Sequence, residues 1–153
     1  MDQVDMWRPF DPRPGAHEHR TPAAGQRPRT PAATRTGYLR SSSQARQVTR
    51  GYLSALPTPP TTATVEEVLL VVSELVTNAF RHAGSVTEFG LSCAGDHLEI
   101  TVGDNSSALP HEHTPDVERC GGFGWHLVRH FADETNIRLG PGAAKTIRIS
   151  MPL

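Results

Sequence analysis

Glu74, Asn78 and His82 stand four residues apart in the run Ser73–Gly84, setting an acid, an amide and an imidazole on one predicted helix. At roughly 100° per residue, each four-residue step drifts only about 40°, so the three form a stripe while Leu75, Val76 and Ala79 face elsewhere. An amide oxygen is a hard, neutral ligand suited to Mg²⁺, which prefers oxygen donors and shares its shell with phosphates and water. A carboxylate one turn earlier can take a proton from an attacking hydroxyl. Taken alone, the same stripe is the solvated face of an amphipathic helix. His82 fits a phosphate contact and a cap on the helix's C-terminal dipole equally well.

Two downstream features give the stripe a context. In Glu99–Ser106 the alternation of Leu98, Ile100 and Val102 predicts a strand, and Asp104 follows on the same side at its end. A buried acid there demands donors, and the exocyclic amine of adenine is one. Next, Gly121, Gly122 and Gly124 run directly into an amphipathic helix. Glycines let backbone N–H groups approach phosphate closely, and the helix N-terminus adds about half a positive charge. The cluster has the spacing of neither a P-loop nor a dinucleotide fingerprint.

In this order, the acid-amide helix, the strand-end aspartate and the glycine turn resemble the N box and the two G boxes of the GHKL ATPases, the superfamily of gyrase, sensor histidine kinases and mismatch-repair ATPases. Within it the chain is most similar to the anti-sigma-factor serine/threonine kinase branch, especially its short actinobacterial ATP-binding regulators. Their motifs read E-L-V-T-N-A-x-R-H-A, D-x-S-x-x-L-P and G-x-G-L-x-L-V, to which Glu74–Ala83, Asp104–Pro110 and Gly122–Val128 correspond, with Trp125 in place of the first leucine of the third motif. The resemblance covers about residues 40 to 153. It implies that Glu74 is the general base, Asn78 the Mg²⁺ ligand and Asp104 the adenine acceptor. It further implies that Gly122 and Gly124 supply phosphate-side backbone and that Thr146 supports the adenine pocket; His82 is a further candidate nucleotide-binding residue. The implied cofactors are ATP and Mg²⁺, and the implied partners are a sigma factor and an anti-sigma-factor antagonist, with a homodimer as a further assembly. Ser106 and Ala108 depart from the glycines of the first G box of histidine kinases, and Phe123 stands where many relatives carry arginine.

The elements that must carry these residues are legible in outline. Ser41–Ser43 cap a first helix with Ala45, Val48, Tyr52, Leu53 and Leu56 on its apolar face, stopping at Pro57. Thr64 and Glu67 form a capping box opening the long helix that ends at Gly84. Strands over about 86–93 and 97–104 make a hairpin through Ala94-Gly95-Asp96. Residues 105–120, with Pro110 and Pro115, read as a loop and lid. A helix over about 124–133 precedes strands near 134–139 and 144–151, which turn at Gly140-Pro141-Gly142. This order predicts an α+β two-layer α/β sandwich of the GHKL ATPase type, a mixed and mostly antiparallel sheet with helices on one face.

Residues 1–37 carry six prolines, six arginines and four acids with almost no apolar periodicity. They are predicted to be a disordered tail, since such composition buries too little surface to offset ordering entropy; a docking arm is the functional alternative. Residues 38–153 then form the histidine kinase-like ATP-binding domain. Composition fits one small soluble domain without a membrane span. The net charge of −1 argues against nucleic-acid binding, and the acidic, proline-broken start argues against a secretory signal, so a cytoplasmic protein with reduced cysteines is expected. His111, His113 and Cys120 lack the spacing of a structural zinc site, and His126 with His130 reads as an exposed helix edge rather than a metal pair.

Three functions fit: a protein kinase transferring the ATP γ-phosphate to a serine or threonine of an anti-sigma-factor antagonist, a non-catalytic ATP-binding module that sequesters a sigma factor, and a histidine-kinase catalytic domain. The last lacks a phosphoacceptor helix pair and ranks lowest.

Overall fold

A computed structural model describes residues 33–36, 39–110 and 124–153. Their elements are β1 (Thr34–Thr36), α1 (Ser42–Ser54), α2 (Thr62–Ala83), β2 (Glu88–Ala94), β3 (His97–Asp104), α3 (Gly124–Phe131), β4 (Glu134–Leu139) and β5 (Lys145–Pro152).

Each helix boundary has a local cause. Extended Ser41 accepts the Gln44 N–H at 3.1 Å and starts α1, which stops before Pro57. The long helix α2 begins three residues before the expected capping box. Thr61 follows Pro60, is extended, and its hydroxyl accepts the Thr64 N–H at 3.2 Å, so Thr64 sits inside the first turn instead of preceding it. At its end Gly84 turns left-handed at φ 71° and its N–H reaches Phe80 O, a conformation glycine adopts without Cβ cost.

The five strands form one antiparallel sheet in the order β1-β2-β3-β5-β4. The β2–β3 hairpin has the expected register, Cys93 opposite Leu98 and Ala94 opposite His97. Strand alternation sends Phe89, Leu91, Ile100, Val102, Ile147 and Ile149 to one face. There they bury against Tyr52 and Leu53 of α1 and against Val68, Val72, Leu75 and Val76 of α2. The opposite face is polar, and Arg35 and Glu88 pair across it at 2.6 Å. Helices thus cover one face of the sheet, an α+β two-layer sandwich.

Strand β1 lies within the expected tail. Residues 34–36 pair with Leu91, Gly90 and Phe89, because the outer edge of β2 offers unpaired backbone groups. Residues 1–32, and with them the rest of the expected tail, lie outside the described residues.

One polar cluster ties the hairpin to the far end of the domain. His97 Nδ1 lies 2.8 Å from Asp96 and Nε2 2.9 Å from Asp133, which follows α3. Hydrogen bonding to Asp96, then to Asp133, raises the His97 pKa above its ordinary 6.5. The same contact with His97 lowers the Asp96 pKa. Nearby, burial pushes the Tyr52 hydroxyl up to about 12 and also raises the Cys93 thiol. The Tyr52 hydroxyl has no hydrogen-bond partner among the described residues, the Cys93 thiol lying beside it without reaching hydrogen-bond geometry.

Candidate functional site

Helix α2 presents Glu74 and Asn78 half-buried on one stripe while Leu75, Val76 and Ala79 go fully into the core. Ser73, inside the same motif, spends its hydroxyl on Leu69 O at 2.7 Å and belongs to the helix rather than to a site. His82 is exposed in the last turn beside Arg81, where a cation complements the C-terminal dipole. Among the described residues no hydrogen bond engages the Glu74 carboxylate or the Asn78 amide.

What faces Glu74 is Gly124, the first residue of α3. A Cβ placed on Gly124 would overlap the Glu74 carboxylate and lie 2.8 Å from its carboxyl carbon. Glycine is therefore the residue that lets the acid of α2 reach the N-terminal end of α3, where a negative charge is favoured. The acid of the first motif and a glycine of the third converge in space, although fifty residues separate them.

Asp104 ends β3 on the core face, 3% exposed. Its Oδ1 accepts the Ser106 N–H at 2.8 Å, and its Oδ2 lies 3.4 Å from Lys145 Nζ. Lys145 is equally buried and donates to Ala108 O at 2.5 Å. Ser106 Oγ in turn accepts the Ala108 N–H at 3.3 Å. The two positions where the first G box departs from glycine are thus held by two successive side-chain turns and closed from above by the lysine.

Thr146 is not brought to this acid. The register sets Lys145 opposite Asp104 and Thr146 opposite Gly103, so Thr146 lies on the outer, polar face of the sheet. The parity was readable: Ile147, Ile149 and Met151 mark the core face of β5, and Lys145 shares it. Lys145, the chain's single lysine, lies outside the motifs that the sequence singles out. Gly122, Phe123 and residues 111–120 of the expected lid, with His111, His113 and Cys120, lie outside the described residues.

Comparison with known proteins decides the family. The model of the histidine kinase-like ATPase domain matches residues 37–151. The chain belongs to this family. No curated protein matches it.

A histidine kinase-like ATPase domain implies a nucleotide and, with it, a divalent cation, and the residues present fit both. Asn78 offers a neutral oxygen donor on α2, one turn from a carboxylate that is itself seated at a helix N-terminus. Asp104 is a buried acceptor whose Oδ2 has, among the described residues, one long contact. Among the described residues no cluster of three or more His, Cys, Asp or Glu could hold a metal by itself. Among the same residues no helix is long and apolar enough to cross a membrane.

Proposed function

We propose that this domain is a cytoplasmic serine/threonine protein kinase of the anti-sigma-factor type. It binds ATP with Mg²⁺ and transfers the γ-phosphate to a serine or threonine of an anti-sigma-factor antagonist, while also engaging a sigma factor. The observation that carries this reading is the seating of the Glu74 carboxylate against Gly124, which joins a candidate base to the helix end suited to phosphate. Asp104 accepts the exocyclic amine of the base. Asn78 would hold Mg²⁺, which supplies charge neutralisation on the phosphate oxygens when bound. Glu74 takes the proton of the attacking hydroxyl as the oxygen–phosphorus bond forms, the bond to the β-phosphate oxygen breaks, and ADP leaves. Backbone amides of Gly122 and Gly124 and the N-terminus of α3 would stabilise the transferred charge. Catalysis is then mainly positional.

A second reading is favoured by one specific feature. Ser106 and Ala108 stand where histidine kinases carry the glycines of the first G box, which suits a module that uses nucleotide only to order a partner surface. Incubation with labelled ATP, Mg²⁺ and candidate antagonists separates the two. Transfer to one antagonist, reduced about 100-fold in Glu74→Gln with ATP affinity kept within a few-fold, establishes the kinase. Binding without transfer establishes the regulator, and transfer at the parent rate by Glu74→Gln rejects Glu74 as the base.

A further inference from the structure

A buried lysine with one neutral acceptor and one carboxylate is an unusual core residue, since lysine is almost never fully buried unless paired. Lys145 Nζ carries three N–H groups and finds two acceptors among the described residues, Ala108 O at 2.5 Å and Asp104 Oδ2 at 3.4 Å. The second contact is long for a charge-assisted hydrogen bond, so Oδ2 retains accepting capacity while Nζ retains a donor. Both groups are held in place, Asp104 by the Ser106 N–H and Lys145 by the Ala108 carbonyl. An acceptor and a donor therefore stand side by side, in fixed order, at the abutting ends of β3 and β5.

We propose that Lys145 is a base-reading residue: with Asp104 accepting the 6-amino group of adenine, the ammonium donates to the neighbouring ring nitrogen N1. This inference rests on the adenine-nucleotide reading above and adds a second specificity contact to it. Adenine presents a donor at the 6-amino group and an acceptor at N1, complementary to the carboxylate and the ammonium in turn. Guanine presents the reverse, an acceptor at O6 and a donor at N1, and the two tethers oppose the exchange of places it would require. A site built to hydrogen-bond both positions rejects an analogue lacking either one more strongly than an apolar pocket would.

The test measures binding of ATP, 1-deaza-ATP, purine riboside triphosphate and GTP, each with Mg²⁺, to the full chain and to Lys145→Met, which keeps the length of the side chain without its donors. Replacing N1 by C–H should weaken binding to the parent about tenfold or more, as expected when a buried donor loses its acceptor. In Lys145→Met, ATP and 1-deaza-ATP should bind equally, whereas loss of the 6-amino group should still cost affinity in both proteins because Asp104 remains. Comparing ligands within each protein removes any general weakening caused by the substitution. The parent measurement needs no variant, so the inference stays testable if Lys145→Met does not fold. Equal binding of ATP and 1-deaza-ATP by the parent, or N1 discrimination persisting in Lys145→Met, overturns the role of Lys145 while leaving ATP binding intact. Failure of all four nucleotides to bind overturns the nucleotide reading and this inference together.

Discussion

Replacing Asp104 by alanine should destabilise the protein much more when Lys145 is present than when it is not. Both side chains are 4% exposed and their charged atoms are 3.4 Å apart. At an effective dielectric of about 20 the gross attraction at that distance is about 5 kcal/mol, which offsets the desolvation of the two ions without much surplus. Removing one partner is different, since it leaves the other charge buried. Asp104→Ala leaves the ammonium with Ala108 O alone, an expected loss of about 3 kcal/mol or more. Lys145→Met leaves the carboxylate with the Ser106 N–H and should cost about 2–3 kcal/mol. The double variant removes both charges and should lie within about 1–2 kcal/mol of the parent, a coupling of at least about 3 kcal/mol. Urea unfolding with an unchanged slope measures each quantity from its midpoint. If the two single losses add to the double loss within about 0.5 kcal/mol, the two charges do not support one another and the reasoning fails.

Gly124→Ala should leave overall stability within about 1 kcal/mol, because helix propensity gained in α3 roughly offsets the rotamer cost of moving Glu74 away. It should nevertheless reduce phosphate transfer about tenfold or more, so an unchanged rate in the labelled-ATP assay would show that the seating of Glu74 has no part in chemistry. For His97 the folded pKa is raised by Asp96 and Asp133, so its contribution is fully present below about pH 6.5 and is lost as pH rises through the folded value. Chemical denaturation from pH 6 upward should show that decline, and His97→Gln should abolish it. Tyr52→Phe removes a buried hydroxyl that no described residue satisfies and should be neutral or stabilising by up to about 1 kcal/mol in thermal unfolding, whereas a large loss would reveal a partner for it.

The layer architecture was legible because the hydrophobic periods were unambiguous. Leu98, Ile100 and Val102 alternate at period two up to Asp104, and Val68, Val72, Leu75, Val76 and Ala79 recur at helical spacing, so the face that each acid shares followed from its neighbours. Strand β1 was not legible. Three residues in a proline- and arginine-rich context carry no period, and what orders them is the open edge of β2, a tertiary cause absent from the local sequence. The start of α2 was misplaced for the opposite reason, an excess of local signals. Thr61, Thr62 and Thr64 all suit a cap, and only the extended conformation of Thr61 after Pro60 distinguishes them. At the site, the sequence brought out Glu74, Asn78 and Asp104 individually but not the contact of Glu74 with Gly124, which depends on how α2 and α3 pack.

Lys145 also bears on why the altered first G box can keep its shape. Glycines at positions 106 and 108 would bend the backbone after Asp104 through conformational freedom alone. With Ser106 and Ala108 there instead, the bend needs side-chain hydrogen bonds, and three are present: Ser106 N–H to Asp104, Ala108 N–H to Ser106 Oγ, and Lys145 Nζ to Ala108 O. The lysine closes this chain of bonds onto the same carboxylate from which it starts. The turn that leads toward the expected lid and the acid proposed to read the base are thereby one hydrogen-bonded unit, in which a ligand that draws on Asp104 Oδ2 also changes the balance of forces on Ala108. On the proposed base-reading role, recognition and the position of the 105–110 segment are coupled through the Lys145 ammonium group, a coupling that two flexible glycines would not provide.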